Sequence, residues 1–268
     1  METVTSSDGT TIAFRRQGAG DPVLLFHGGG PATSESWAQV VPALTPGYEV
    51  AVMDRRGRGA SRPIRDYSLE HEFDDLAAVI DALGGGAHLV AHSSGARVAL
   101  LAASQGLDVR SLTLYEPALH LAAIDGVVER VEALLAAGDA EEAAAQFLTG
   151  IAATPEELAV FQSLPEVWTR MTEAMAFFPR EMAALRTLGV DPSVAARIDV
   201  PVLLLVGELT TARQFIDGLD EVEAALPDAR RVTIPGQRHL ANAFAPEALA
   251  GAVREFVGSL AAEPTAHR

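Results

Sequence analysis

Short apolar runs that end at a glycine or a polar residue alternate along this chain with segments of helical periodicity. Such runs are typical of strands buried on both faces of a sheet. Their alternation with helices predicts an α/β fold with a mostly parallel, doubly wound sheet. A hairpin with its turn at Asp8-Gly9 is expected to precede this sheet. The predicted central strands are residues 23–26, 48–53, 88–92, 111–115, 202–206 and 231–234.

The alternation breaks between residues 119 and 195, where only helical patterns occur. An insertion that follows the carboxyl end of a strand more often lies over the ligand crevice of an open α/β sheet; the alternative is that it only covers one sheet face. We therefore predict a core domain in two parts, residues 1–118 and 196–268, with a helical cap at 119–195. Candidate substrate-binding aromatic residues are Trp37, Phe161, Trp168, Phe177 and Phe178.

The composition excludes several classes of function. The chain has 36 acidic and 20 basic residues, a formal net charge of −16, which opposes binding to nucleic acid or to an anionic membrane. It contains no cysteine and no lysine, which excludes disulfides, cysteine–zinc sites, Schiff-base chemistry and a P-loop lysine. No apolar run is long enough to cross a membrane, and the first residues do not resemble a secretory signal. We therefore expect a cytoplasmic protein.

A serine lies where a predicted strand changes directly into a helix, in the run HLVAHSSGA at 88–96. A nucleophilic serine on such a strained turn needs small residues two positions before and two positions after it. Ala91 and Gly95 meet this condition for Ser93, whereas His92 is too bulky to meet it for Ser94. Ser93 is therefore the candidate nucleophile; the alternative is a serine that only caps a buried helix.

A glycine-rich segment, FHGGGP at 26–31, follows the first buried strand. Acyl transfer needs backbone N–H groups directed at the developing oxyanion, and glycines let the backbone approach it closely. The candidate donors are the amides of Gly29 and Ser94, the latter at the positive end of its helix. No G-x-G-x-x-G motif opens a helix, so no dinucleotide cofactor is expected.

The candidate general base is His239, in the segment PGQRH just beyond the last predicted strand. The carboxyl ends of parallel strands meet at one edge of the sheet, so this loop is expected at the same edge as Ser93. His27, His88 and His92 lie in or beside strands and are interpreted as structural.

The order of HGGGP, DRRGRGAS, AHSSG, the helical insertion, PVLLLVGE and GQRH resembles the α/β-hydrolase superfamily, from about residue 10 to residue 260. The resemblance implies the α/β-hydrolase fold, with Ser93 as nucleophile, His239 as base, and the amides of Gly29 and Ser94 as the oxyanion hole. The HGGGP run resembles C–C bond hydrolases of aromatic degradation and also many carboxylesterases. These motifs are specific to the superfamily and say little about the substrate.

One departure from the family pattern concerns the acid of the triad. The family usually carries it in a G-x-x-D pattern after the strand that here reads VLLLVG, but this chain has Thr210 at that position. Three explanations are open, and we predict the first of them. The acid is Glu116, at the end of the preceding strand, as in certain haloalkane dehalogenases; or it is Glu208, which reaches the histidine through its longer side chain; or the site has no acid.

Together these residues predict a carboxylesterase-like serine hydrolase that cleaves an ester, lactone or related acyl bond. The expected partner is a small to medium apolar substrate, without a metal ion or cofactor, and a homodimer is compatible with the sequence. The alternative, which Thr210 supports, is a non-hydrolytic protein of the same fold. Such a protein would bind a ligand, or promote cyclisation or elimination of a biosynthetic intermediate.

Overall fold

One sheet runs through the part of the chain that the computed structural model describes, residues 1–62, 64, 66–151 and 153–262. Its strands are β1 (Glu2–Thr5), β2 (Thr11–Gly18), β3 (Asp21–Phe26), β4 (Tyr48–Met53), β5 (Ala87–His92), β6 (Val109–Tyr115), β7 (Val202–Gly207) and β8 (Ala229–Ile234). Their spatial order is β1-β2-β4-β3-β5-β6-β7-β8.

The sheet is antiparallel at one edge and parallel elsewhere. β1 and β2 form the expected hairpin, in which Gly9 adopts a φ of +83° that favours glycine. β2 pairs antiparallel with β4, and every pair from β4 through β8 is parallel. Since the chain winds outward in opposite directions from β3, a crevice opens at the carboxyl ends of β3 and β5. The predicted doubly wound α/β architecture is confirmed.

Helices cover both faces of this sheet or belong to the segment between β6 and β7. They are α1 (Val41–Leu44), α2 (Leu69–Ala82), α3 (Ser93–Ala103), α4 (Asp125–Ala136), α5 (Ala140–Ile151), α6 (Pro155–Gln162), α7 (Pro165–Ala174), α8 (Phe178–Thr187), α9 (Arg213–Ala225), α10 (Ala241–Phe244) and α11 (Pro246–Ala262). Side chains alternate across β3, so Val23 and Leu25 pack with α1 and α11, whereas Leu24 and Phe26 pack with α2 and α3. Within the described ranges, no helix has both the length and the apolar character of a membrane span.

The helical segment before β4, residues 34–44, is not continuous. The structure has a 3-10 helix at Ser34–Trp37 and then the short helix α1. Pro42 has no N–H to donate and its ring would clash with the carbonyl four residues before it, so it is tolerated only in the first turn of a new helix.

Helices α4–α8 and short 3-10 turns lie between β6 and β7, in the segment predicted as the cap. The last of these turns, Pro192–Arg197, crosses the predicted boundary at residue 195. The helices of this segment differ in burial. α6 buries none of its residues, whereas α5 buries Phe147 and Leu148 and α8 buries Phe178, Glu181, Met182 and Leu185. α6 therefore lies at the surface of the segment, while α5 and α8 pack into the interior.

Candidate active site

Ser93 lies at the junction of β5 and α3 and has a φ of +56°. This left-handed conformation is strained for a residue with a side chain, and it is the conformation expected of a nucleophile elbow. The strand can turn into the helix at Ser93 because the residues beside Ser93 are small, which lets the segment after β3 approach closely. A Cβ atom added at Gly95 would lie 2.3 Å from the carbonyl oxygen of His27. Ser93 is 9% exposed, and it lines a cavity between core and cap.

His239 follows β8, and its ring is fixed on several sides. Its Nδ1 lies 2.6 Å from Oε2 of Glu116, and because a carboxylate can only accept, Nδ1 carries the proton. Phe215 stacks on the ring at a centroid distance of 3.9 Å. His92 donates from Nε2 to the carbonyl of His239 at 2.9 Å. Nε2 of His239 has no hydrogen-bond partner among the described residues, so it can accept a proton.

Glu116 directly follows β6 and is fully buried, with a strained φ of +45°. Its Oε1 accepts hydrogen bonds from the Gly207 amide at 2.8 Å and from the Thr210 hydroxyl at 2.6 Å. Glu208 is exposed and its Oε2 accepts from the Gly236 amide at 2.7 Å. Of the two candidate acids, the structure therefore brings Glu116 to His239 and directs Glu208 elsewhere.

The glycine segment after β3 passes close to the start of α3. A Cβ atom at Gly28 would lie 3.1 Å from Cβ of Ser93, and one at Gly29 would lie 2.6 Å from Oγ of Ser94. The Ser94 amide belongs to the first turn of α3 and has no acceptor within the helix. The amide of Gly30 donates to Oε2 of Glu181 at 3.0 Å. The predicted amide donors, Gly29 and Ser94, thus lie on adjoining backbone segments beside Ser93.

A buried charge cluster, formed by Arg55, Arg58, Glu72 and Glu181, supports this region. Arg55 contacts Glu72 at 2.6 Å and Glu181 at 3.1 Å, while Arg58 contacts Glu181 at 2.6 Å. Ser94 donates from Oγ to Glu181 at 3.1 Å. Burial favours a raised pKa for Glu181, but Arg58, Arg55 and the Gly30 amide outweigh it and lower the pKa to about 2. Glu181 is therefore ionised.

Sequence reasoning missed Glu181, because no local signal distinguishes it. The arginines of the DRRGRG segment were a partial signal, since buried arginines need carboxylate partners. Those partners lie 17 and 123 residues away along the chain.

The other histidines near the site have structural contacts. His27 contacts the carbonyl oxygen of Gly28 through Nδ1 at 2.8 Å, and its Nε2 accepts from the Arg55 amide at 3.1 Å. Burial and the positive charge of Arg55 lower the pKa of His27 well below its ordinary value, so it is neutral. Burial and the neighbouring His239 likewise lower the pKa of His92. Both rings hold backbone segments of the site.

An apolar cavity of about 230 Å³ opens in front of Ser93 and His239. Its walls come from α5, α6, α7 and α10, with apolar side chains such as Phe147, Ile151, Val160, Leu164 and Phe244. Within the described residues, no group of three histidine or acidic side chains is placed to hold a metal ion.

Only one of the five aromatic residues predicted to bind substrate lines this cavity. Phe161 does so, and it packs edge-on against Phe244 with ring centroids 5.4 Å apart. The other four do not line the cavity.

Each of the four fills a place in the protein interior instead. Trp37 is fully buried, with its edge towards His92. Phe177 packs on Tyr67, and Phe178 packs on Phe147. Trp168 is half-buried against the core. Aromatic residues in a small cap are needed for the cap's own packing, and Phe147 and Phe244, which were not predicted, complete the cavity wall.

Comparison with known proteins agrees with this arrangement. Residues 23–252 match the sequence model of the Alpha/beta hydrolase family. The chain is 42% identical over 99 residues to a bifunctional esterase/perhydrolase of Acinetobacter calcoaceticus, a match that covers 35% of this chain and 36% of that enzyme. It is 29% identical over 269 residues to a 2-(acetamidomethylene)succinate hydrolase of Mesorhizobium japonicum, covering 92% of this chain and 91% of that enzyme.

A solved structure extends the likeness to the whole fold. The crystal structure of an alpha/beta hydrolase from Sphaerobacter thermophilus has a TM-score of 0.82 and 35% sequence identity. The match covers 96% of this chain and 100% of that one. With a family match over most of its length, the chain belongs to the alpha/beta hydrolase family.

Proposed function

We propose that this hydrolase is a carboxylesterase-like serine hydrolase, which cleaves an ester, lactone or related acyl bond through Ser93, His239 and Glu116. The observation that carries the proposal is the 2.6 Å hydrogen bond from Nδ1 of His239 to Glu116, which leaves Nε2 directed away from the carboxylate. Ser93 and His239 line the same cavity, whose apolar walls favour a small to medium apolar substrate. The names of the relatives, esterase/perhydrolase and hydrolase, support hydrolysis as the reaction class.

In the proposed mechanism, Oγ of Ser93 attacks the acyl carbon and Nε2 of His239 accepts its proton. Glu116 stabilises the imidazolium ion through Nδ1. The amides of Gly29 and Ser94 donate to the oxyanion. Collapse of the tetrahedral intermediate passes the proton from Nε2 to the leaving group and leaves an acyl-serine. Water, activated by the same histidine, attacks the acyl-serine and releases the acid and free Ser93.

The non-hydrolytic alternative depended on Thr210, because threonine stands where the usual acid would be. In the structure a carboxylate from the neighbouring strand, that of Glu116, contacts His239. That contact supports the hydrolase, because it supplies a carboxylate to the histidine without an acid at position 210.

The direct test combines hydrolysis of p-nitrophenyl butyrate with labelling by a fluorophosphonate probe. We expect labelling of Ser93 in the native protein, and Ser93→Ala should lose the label and at least about a thousandfold in kcat, because only binding and oxyanion contacts remain. Ser259→Ala is a matched control, since that hydroxyl donates to the Phe256 carbonyl within α11 and should change neither result. Unchanged turnover in Ser93→Ala would refute the proposal.

A further inference from the structure

The acid proposed for the triad is held in place by a threonine. Glu116 has two carboxylate oxygens with different partners. Oε2 faces His239, while Oε1 accepts from the Gly207 amide and from the Thr210 hydroxyl. Because a carboxylate has no hydrogen to give, Thr210 is the donor in its 2.6 Å contact.

Thr210 is itself fixed relative to the loop that carries His239. Its amide donates to the carbonyl of Gly207 at 3.1 Å, which closes the turn after β7. The amide of Leu209 in the same turn donates to the carbonyl of Gln237 at 2.8 Å. A Cβ atom at Gly207 would lie 2.5 Å from that Gln237 oxygen, so the two segments are in close contact. The hydroxyl of Thr210 therefore has a fixed position beside the carboxylate.

Full burial makes each of these hydrogen bonds important to Glu116. The residue is 0% exposed, so its charge is stabilised by protein donors and not by bulk water. Without the Thr210 hydroxyl, Oε1 would keep only the Gly207 amide. The carboxylate could then rotate about its last torsion, which is broad for glutamate, and Oε2 would no longer be directed at Nδ1.

We propose that Thr210 is a positioning residue, whose hydroxyl, with the Gly207 amide, holds Glu116 so that Oε2 faces Nδ1 of His239. This inference rests on the proposed function of Glu116 and His239. In this chain the side chain at position 210 contacts the acid supplied by the neighbouring strand.

The test compares Thr210→Val, which keeps the shape but removes the hydroxyl, with Thr210→Ser, which keeps the hydroxyl. We expect Thr210→Val to lose about tenfold in kcat, the typical effect of one hydrogen bond to a charged group, with KM within about twofold. Thr210→Ser should stay within about threefold of the wild type in kcat. Thr211→Val, at an exposed neighbouring threonine, should match the wild type. If Thr210→Val does not fold, Thr210→Ala provides the same comparison.

A double variant separates positioning from a general structural effect. If Thr210 acts through Glu116, Thr210→Val should cost nothing further in a Glu116→Gln background. A full additive loss in that background would overturn the inference. The proton resonance of His239 Nδ1–H gives a second readout, which should shift or broaden in Thr210→Val and be retained in Thr210→Ser.

The outcomes also distinguish this inference from the proposed function. If Glu116→Gln is impaired and Thr210→Val is fully active, the role of Thr210 is wrong and that of Glu116 stands. If Glu116→Gln is fully active, the acid assignment is wrong and the inference about Thr210 is overturned with it.

Discussion

Nη2 of Arg58 lies 2.6 Å from Oε2 of Glu181, and the two side chains, each 1% exposed, join the loop after β4 to helix α8. The same carboxylate accepts from the Gly30 amide and from Oγ of Ser94. The carboxylate of Glu181, which belongs to the cap, therefore contacts both segments that carry the candidate oxyanion donors: the glycine segment after β3 and the start of α3.

Removing this charge should destabilise the protein. Glu181→Gln leaves two buried arginines with a weaker acceptor, and breaking a buried ion pair typically costs about 3 kcal/mol or more. Urea unfolding should show this loss. Glu166→Gln is the control, because that side chain on α7 is 90% exposed and its substitution should leave the free energy of unfolding unchanged. Equal stability of the two variants would contradict the anchoring role of Glu181.

The contribution of Glu181 should also depend on pH. Its pKa is about 2 in the folded protein, below its ordinary value of 4.5, so the unfolded chain binds the proton more readily. The stabilisation is therefore fully present above about pH 4.5 and is lost as the pH falls towards about 2. The difference in unfolding free energy between wild type and Glu181→Gln should be constant above about pH 5 and should shrink as the pH falls from about 4.5 to about 2.5. A difference that is constant over this range would contradict the lowered pKa.

Substitutions of Glu116 and Glu208, which follow neighbouring strands, should differ sharply in their effect on kcat/KM. Glu116→Gln removes the charge that stabilises the imidazolium form of His239, and kcat/KM should fall by at least about a hundredfold. Glu208→Gln changes an exposed side chain that contacts the Gly236 amide, and it should stay within about threefold. Steady-state kinetics with p-nitrophenyl butyrate decides between them, and the reverse ranking would move the acid to Glu208.

The cavity wall offers a test of substrate contacts. Phe161 lines the cavity from α6, whereas Trp168 packs against the core. Phe161→Ala should lower kcat/KM about fivefold for p-nitrophenyl hexanoate, mainly through KM, because about 1 kcal/mol of apolar contact is lost. The acetate ester is too short to reach that wall, so its hydrolysis should be unchanged. Trp168→Ala should change neither ester's KM, and an equal effect of both variants would mean that the cavity wall is wrongly assigned.

The strand ends of this fold could be predicted from the sequence. Ser93, Glu116 and His239 each follow a short apolar run, and the carboxyl ends of parallel strands meet at one edge, so their proximity follows from local pattern and topology. The same argument favours Glu116 over Glu208, but the contact of Glu116 with His239 could not be derived in that way. It depends on the direction of each side chain, which the turn after β7 determines.

The cap was less predictable for a physical reason. Its helices have apolar residues that face either the core, one another or the cavity, and periodicity does not distinguish these three environments. Trp168, Phe177 and Phe178 therefore do not line the cavity, and neither does Trp37, which lies outside the cap. The ion pair of Arg58 with Glu181 depends on packing between segments 123 residues apart, and no local pattern indicates it.

The position of Glu116 limits how the cap can open. The chain leaves the sheet for the cap directly after this residue, and the amide of Ala118, two residues on, donates to the carbonyl of Ser93 at 3.2 Å. A hinge at this point would displace both Glu116 and Ser93. Rotation of the whole cap would therefore disturb their geometry each time a substrate entered. Movement confined to α6, which has no buried residues, would admit the substrate and leave that alignment intact.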